Sequence, residues 1–362
     1  MQKIYLQNSS RAVANWVLIG VIMLVIQVTL GGITRLTGSG LSITEWNVAT
    51  GIMPPMSSQQ WVSEFDKYKR TPQFRLLHSD FTLHNFKFIF FWEWFHRFWA
   101  RMVGVVFIAG FVYLVWKRQM KQEMIKPLLI LFLLGALQGA VGWIMVASGL
   151  EGDAIYVAPT KLAVHFVLAL GLICYAFWFS LQLLVPQKEV VCNNNLRKWS
   201  CAIIAVLFFQ LLFGALMAGH KAAGVAPTWP TINGDWIPDS LFRQKPLMFN
   251  FIDNKVTIHF VHRGLAYLLV IFTLIWSLLA YSIHSLTNYV RKCRWLPLFI
   301  IFTQVLLGIL AVLSSTKIVA NHWGIFEWIA QLHQITGMLF LLCMVYMLYV
   351  IRPVKKIRSL LS

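Results

Sequence analysis

The sequence predicts an all-α polytopic membrane protein, with eight transmembrane helices arranged as two four-helix bundles related by a pseudo-two-fold axis. Three observations lead there. The 362-residue chain is 58% hydrophobic and only 12% charged, with mean hydropathy +0.67, far from a soluble domain of this length. Apolar runs of about 20 residues, enough to cross a bilayer, occur eight times along it. A set of polar residues also recurs in the same order in the two halves.

In lipid these runs must be helices, because open strands would leave backbone groups unpaired. The first, near 14–34, follows Arg11 directly and carries Gln27 and Gly31. Its length is that of a span and not of a short signal segment, so no cleavable presequence is expected. The second, near 92–116, opens on "EWFHRFWAR", which holds Glu93, His96, Arg97 and Arg101. The third, near 127–147, carries Gln138 and Gly142, and the fourth, near 161–185, carries His165. The polar stretch 186–198 reads as a cytoplasmic linker between an N-terminal bundle, 1–185, and a C-terminal bundle, 199–362.

The second half then repeats the first. Its spans, near 199–219, 257–281, 295–315 and 329–350, carry Gln210 with Gly214, His262 with Arg263, Gln304 with Gly308, and His333. The offsets between matching residues are 183, 166, 166 and 168. Only the first helix of each half is displaced, as a longer loop in the first half requires. With four helices per half, both halves begin on the same side, so the repeats are parallel and their axis runs along the membrane normal.

A net charge of +18 raises nucleic acid as a partner, but the placement of the charge excludes it. Lys and Arg crowd alternate loops, where Glu123 and Glu189 are the only acids, whereas the intervening loops mix both signs. The positive-inside rule then places both termini in the cytoplasm of a bacterial inner membrane. Cys174 and Cys343 fall inside helices, and Cys192, Cys201 and Cys293 near the reducing face, so no outer-loop disulfide is expected.

The same topology gives depth. The four histidines are expected in the first turns of helices entering from outside, and the four glutamines in the second halves of helices leaving toward it. All eight polar residues then gather near the outer leaflet. Such residues are costly in a span and line a site by default. Two imidazoles facing each other from two helices are the arrangement that holds a haem iron. Zinc would want further ligands that are scarce here. Arg97 and Arg263 each follow a histidine and suit bidentate pairing with haem propionates, with Arg101 one turn deeper. The bland alternatives are a packed histidine bonded to backbone and an arginine snorkelling to headgroups.

The halves differ at one position. Glu93 precedes His96 by three residues and Arg97 by four, so the three share a helix face. The matching residue of the second half is His259. This asymmetry favours one reactive site and one electron-handling site, the alternative being that Glu93 only neutralises Arg97. The stretch "SSQQWVSEFDKY", with a capping box at Ser57 and Gln60, reads as a helix lying over the site as a lid or as a plain surface helix. His78, His84, His220, His259, His284 and His322 are not read as ligands.

The stretches "GGITRLTGSGLSITEW", "GIMPP", "EFDKYKRTPQF", "FKFIFFWEWFHRFWAR", "QGAVGWIMVASGL" and "HRGLAY" strongly resemble the haem A synthases. The likeness covers essentially all eight helices and is nearest the form shared by mitochondria and their bacterial relatives. Gram-positive members carry outer-loop cysteine pairs that this chain lacks. The resemblance implies oxidation of the ring methyl of haem O to a formyl group, giving haem A for cytochrome c oxidase. It implies haem b as resident cofactor on His262 and His333, haem O between His96 and His165, and Glu93 as the catalytic glutamate. It also makes the haem O synthase, a farnesyltransferase, oxidase assembly factors, an electron donor and a second copy of the chain conceivable partners. Two other classes compete: a di-haem cytochrome exchanging electrons with quinone, and a haem transporter or chaperone.

Overall fold

The computed structural model describes residues 2–45, 52–283, 286–319 and 321–353, with side chains from residue 11 onward. Eight of its helices are long and apolar enough to cross a membrane. They are α1 (Gln2–Leu36), α4 (Leu83–Trp116), α5 (Gln122–Ala147), α6 (Pro159–Leu184), α7 (Asn194–Gly219), α8 (Lys255–Ser282), α10 (Leu296–Ser314) and α11 (Ile325–Val350). Between them lie three short helices, α2 (Ser58–Lys69), α3 (Pro72–Leu77) and α9 (Asn288–Cys293). Among the described residues the only β pairing is two isolated bridges, Val191 with Ile351 and Ile232 with Asp235. His284, read above as no ligand, lies outside the described residues, as do Trp46, Gly51 and the basic end of the chain beyond residue 353.

Local chemistry sets where these helices start. Thr82 caps α4 through Asn85, Asn193 caps α7 through Leu196, and Asn254 caps α8 through Val256 and Thr257. Proline occupies the first turn of α6 and of α10, where its missing N–H costs nothing. These caps lie well outside the apolar runs, so the four histidines sit deeper than the first turns expected for them. At about 1.5 Å per residue, His165, His262 and His333 are roughly 9–12 Å from their helix starts and His96 about 20 Å. The extra length of α4 has a packing cause. Its first turns carry Phe86 and Phe90, which bury against Phe65 and Tyr68 of α2.

That contact also corrects the lid reading. The capping box of α2 is formed, with Ser57 Oγ accepting from Gln60 N and Gln60 Oε1 accepting from Ser57 N. The helix lies against α4, however, and none of its residues lines the central cavity. Gln73 of α3 does, with its amide donating to the Gly38 and Ile155 carbonyls. The expected linker is partly helical: α7 starts at Asn194, and Val191 N donates to the Val350 carbonyl, tying the linker to the end of α11.

In the C-terminal half the helices close on themselves: α7 packs on α8, α8 on α10, α10 on α11 and α11 on α7. In the N-terminal half α1 packs on α4 and α6, and α5 on α6, but α4 and α5 approach each other little. Across the middle α6 packs on α7, and α11 on both α6 and α1. The shared core includes Val17, Ile173, Ile203, Trp276 and Met344, with the Trp276 indole N–H donating to Ser200 Oγ at 2.9 Å. Outward positions such as Ile22, Val105, Leu133, Leu278 and Phe299 are exposed, as a lipid-facing surface requires. The five cysteines are all free.

Candidate haem-binding site

A cavity of about 1220 Å³ runs through the molecule, and all four histidines and all four glutamines line it. The recurring Gln-x-x-x-Gly stretches explain how the histidines are seated. Each histidine ring lies on the glycine of the helix facing it: His96 on Gly31, His165 on Gly142, His262 on Gly214 and His333 on Gly308. A Cβ on the last three glycines would come within 2.8–3.1 Å of the ring Cε1 atom, closer than real contacts allow at Gly142 and tight enough at Gly214 and Gly308 that the imidazole would have to shift. The glutamine one turn earlier reaches the same histidine. Gln27 donates to the His96 carbonyl at 3.2 Å, and the Gln138 amide meets His165 Nδ1 at 3.2 Å. In the second half Gln210 meets His262 Nε2 at 3.2 Å and Gln304 meets His333 Nε2 at 3.3 Å.

The pairing in the second half is close. The His262 and His333 ring centres are 6.3 Å apart with planes at 69°. That span fits one metal ion between two imidazoles at metal–nitrogen distances of roughly 2 Å. His333 Nδ1 faces the Gln304 carbonyl at 3.1 Å, which makes Nδ1 the protonated nitrogen and leaves the Nε2 lone pair toward the Gln304 amide, a contact that a metal ion would replace. The carboxamide oxygens of Gln27, Gln138, Gln210 and Gln304 are all buried without a partner. Four orphaned acceptors on one cavity wall are what a polar ligand group would satisfy. Among the described residues no group of three or more His, Cys, Asp or Glu side chains gathers as a metal site. Paired imidazoles in a large apolar cavity therefore fit a metal whose other donors come with a macrocycle, and the residues present fit haem.

Position 93 separates the halves. Glu93 is only 3% exposed and is fully engaged. Its Oε1 accepts from Arg97 Nη2 at 2.6 Å, and its Oε2 accepts from Ser42 Oγ at 2.7 Å and Ile43 N at 2.9 Å. In the second half His259 Nε2 instead bonds the Ala222 carbonyl at 3.0 Å. The two arginines act alike. Arg97 donates to the Ile43 and Glu45 carbonyls, and Arg263 to the Ala226 and Thr231 carbonyls at 2.8 and 3.0 Å. Ile43 and Ala226 are matching positions of the repeat, so both guanidinium groups strap the loop after the first helix of their half onto the histidine helix. Arg101 also lines the cavity.

Two cations not singled out in the sequence join the site. Arg35, at the end of α1, and Lys221, after α7, line the cavity mouth together with Tyr156 and Glu327. Lys221 Nζ lies 3.5 Å from the Tyr156 ring centre. Its removal from bulk water, and secondarily the nearby Arg35 charge, bring the Lys221 ammonium down to about 8. Two further histidines have structural partners. His78 Nδ1 lies 2.6 Å from the Tyr68 hydroxyl and His220 Nε2 accompanies the Ile252 carbonyl at 2.7 Å.

Residues 14–345 match the family model COX15-CtaA, described as cytochrome oxidase assembly protein. The heme A synthase of Paracoccus denitrificans is 39% identical over 313 residues, covering 85% of this chain and 81% of that protein. That of Flavobacterium johnsoniae is 34% identical over 348 residues, covering 95% and 99%. That of Parvibaculum lavamentivorans is 43% identical over 257 residues, covering 71% and 74%.

Proposed function

We infer the function from one premise: the chain belongs to the COX15-CtaA family of cytochrome oxidase assembly proteins. It is a multi-pass membrane protein and a haem A synthase, an oxidoreductase that converts haem O to haem A for cytochrome oxidase. We propose further that the two halves divide the work. The C-terminal half holds haem b on His262 and His333, and the N-terminal half holds haem O between His96 and His165. The membrane is the bacterial cytoplasmic membrane, with both termini inside and the histidines toward the outer leaflet. When bound, the resident haem supplies one-electron redox chemistry.

This chain's own residues do the rest. His96 and His165, seated on Gly31 and Gly142, orient the substrate ring. Each of two hydroxylations of the ring methyl inserts one oxygen atom and removes two electrons, which an oxidant from outside this chain takes up, and the resulting geminal diol loses water to leave the aldehyde. Glu93, one helical turn from His96, holds or moves the protons of these steps. Ser42, Ile43 and Arg97 fix both of its oxygens, so the carboxylate is positioned before substrate arrives. Arg35 and Lys221 at the mouth suit the haem carboxylates, and Arg263, whose Nη atoms serve loop carbonyls while its Nε is buried without a partner, keeps a donor for them as well.

The observation that carries this division is the buried Glu93 beside His96, with His259 in its place beside His262. Chromatography of haems extracted from the protein, produced with a supply of haem O, tests it. Wild type is expected to yield haem b with haem O and its hydroxylated and formylated products, and Glu93→Gln to yield haem b and haem O alone. Products at wild-type level in the variant would remove Glu93 from the chemistry. Haem b alone in both proteins would favour a di-haem cytochrome.

A further inference from the structure

The cavity is not equally deep in the two halves. In the second half it ends against Leu207, Leu269, Ile301 and Phe340, close beneath the histidine pair. In the first half it continues toward the opposite end of the helices, past Gly20, Gly104, Gly135 and Gly139, to Trp16, Phe107 and Phe132. At about 1.5 Å per residue, Phe107 lies about 16 Å beyond His96 along α4. The rings of Trp16 and Phe107 are 5.2 Å apart and those of Phe107 and Phe132 6.4 Å, so three aromatic side chains from α1, α4 and α5 form a floor.

The repeat shows what creates the extra depth. The residues matching Gly20, Gly104, Gly135 and Gly139 are Ile203, Val270, Ile301 and Val305. Ile203 and Ile301 are buried, filling the space that the glycines leave open. A Cβ built on any of the four glycines meets nothing within 4 Å. Gly104, Gly135 and Gly139 are exposed, so this space is open rather than closed within a packed core. The unpartnered carboxamide oxygens of Gln27 and Gln138 at the top of the channel recur in Gln210 and Gln304, so they point to a ligand beside each histidine pair, and it is the glycines that set the first half apart.

We propose that this apolar channel, walled by Gly20, Gly104, Gly135 and Gly139 and floored by Trp16, Phe107 and Phe132, holds the prenyl tail of the substrate haem. The inference rests on the assignment of haem O to the first half. Haem O and haem b differ in one substituent, a hydroxylated farnesyl chain in place of a vinyl group. The first half has a long apolar channel running from the histidine pair, and the second has side chains there. The sparse contact between α4 and α5 gives the channel an open side toward lipid, the route by which a membrane-dissolved tail enters. The four glycines thereby determine which haem each half accepts.

Transplanting the second half's residues tests this. Wild type, Gly104→Val and Gly135→Ile are purified with a haem O supply, their haems are extracted and counted, and each protein is also titrated with haem O and with haem b. The variants are expected to keep the haem b of the second half and to lose prenylated haem at least tenfold, while wild type prefers haem O to haem b at the first site. Unchanged retention of haem O in the variants, as a channel filled by lipid chains would give, overturns the proposal. So does a wild-type first site that binds the two haems alike. If a variant also loses haem b, the comparison passes to Gly104→Ala and Gly139→Ala, where a smaller graded loss is expected and unchanged retention is decisive against it. Wild type that retains haem O through its tail without converting it would refute the catalytic reading and leave the channel standing.

Discussion

The two halves build the same cradle and load it differently. In both, a Gln-x-x-x-Gly helix seats a histidine ring, and an arginine beside the first histidine straps a loop onto its helix. What changes is one residue a turn before that histidine: a carboxylate with three donors in the first half, a histidine on a backbone carbonyl in the second. Binding and reactivity are therefore separable here. On the proposed reading, the repeated parts hold a macrocycle and the unrepeated parts decide what happens to it.

The halves also meet asymmetrically. Gln331 and Gln334 of α11, on either side of His333, donate to the Thr29 and Val28 carbonyls of α1 at 3.1 and 3.0 Å. Those carbonyls lie within a turn of Gly31, which touches His96. The matching contact on the other side is apolar, with Ala163 of α6 against Ala215 of α7. One polar bridge thus joins the two histidine pairs.

The largest effects should come from the histidines themselves. His262→Ala is expected to strip haem b while leaving prenylated haem, and His96→Ala the reverse. Each loss should exceed about tenfold, since even outer partners of a metal ligand cost 10–100-fold when removed. Loss of both haems in either single variant would break the division between halves. Next, a side chain on the cradle glycines should act only within its own half. Gly308→Val should deplete haem b and Gly142→Val haem O, through overpacking of about 1–3 kcal/mol against the imidazole. Pyridine haemochrome spectra with chromatography would read both.

A smaller effect concerns the mouth. Lys221, facing Arg35, Tyr156 and the buried His78, is cationic below about 8 and neutral above it. Binding of the haem carboxylates favours the cation, so affinity should fall as pH rises through and beyond 8. Lys221→Arg, which stays charged, should flatten that dependence in a titration between pH 7 and 10. The smallest is the bridge between halves. Gln331→Ala should lower stability by about 1 kcal/mol, the net worth of one hydrogen bond, seen as a lower melting temperature in detergent.

Much of this was legible in the sequence because it was written twice. The eight spans follow from hydropathy, and the histidines, glutamines and arginines stand out by recurring at matched offsets. Glu93 stood out by failing to recur. The glycine of each Gln-x-x-x-Gly was visible, but its contact with the imidazole needed the fold, because a helix sequence does not say which ring lies against it. The helix starts were misplaced because caps and aromatic packing extend α4 beyond its apolar run. Lys221 carried no signal, since it is an isolated cation brought to the mouth by tertiary packing, whereas Arg35 lay within "GGITRLTGSGLSITEW" but nothing there tied it to the histidines. The glycines of the channel were equally silent one by one, and gained meaning against the bulky residues of the second half.

The most direct test gives the first half the residue of the second. Glu93→His, purified with a haem O supply, should retain haem b and haem O at wild-type stoichiometry and form neither hydroxylated nor formylated haem over a turnover series. Haem A formation by that variant at the wild-type rate would contradict the account, because it would show that the carboxylate is not what makes the first cradle reactive.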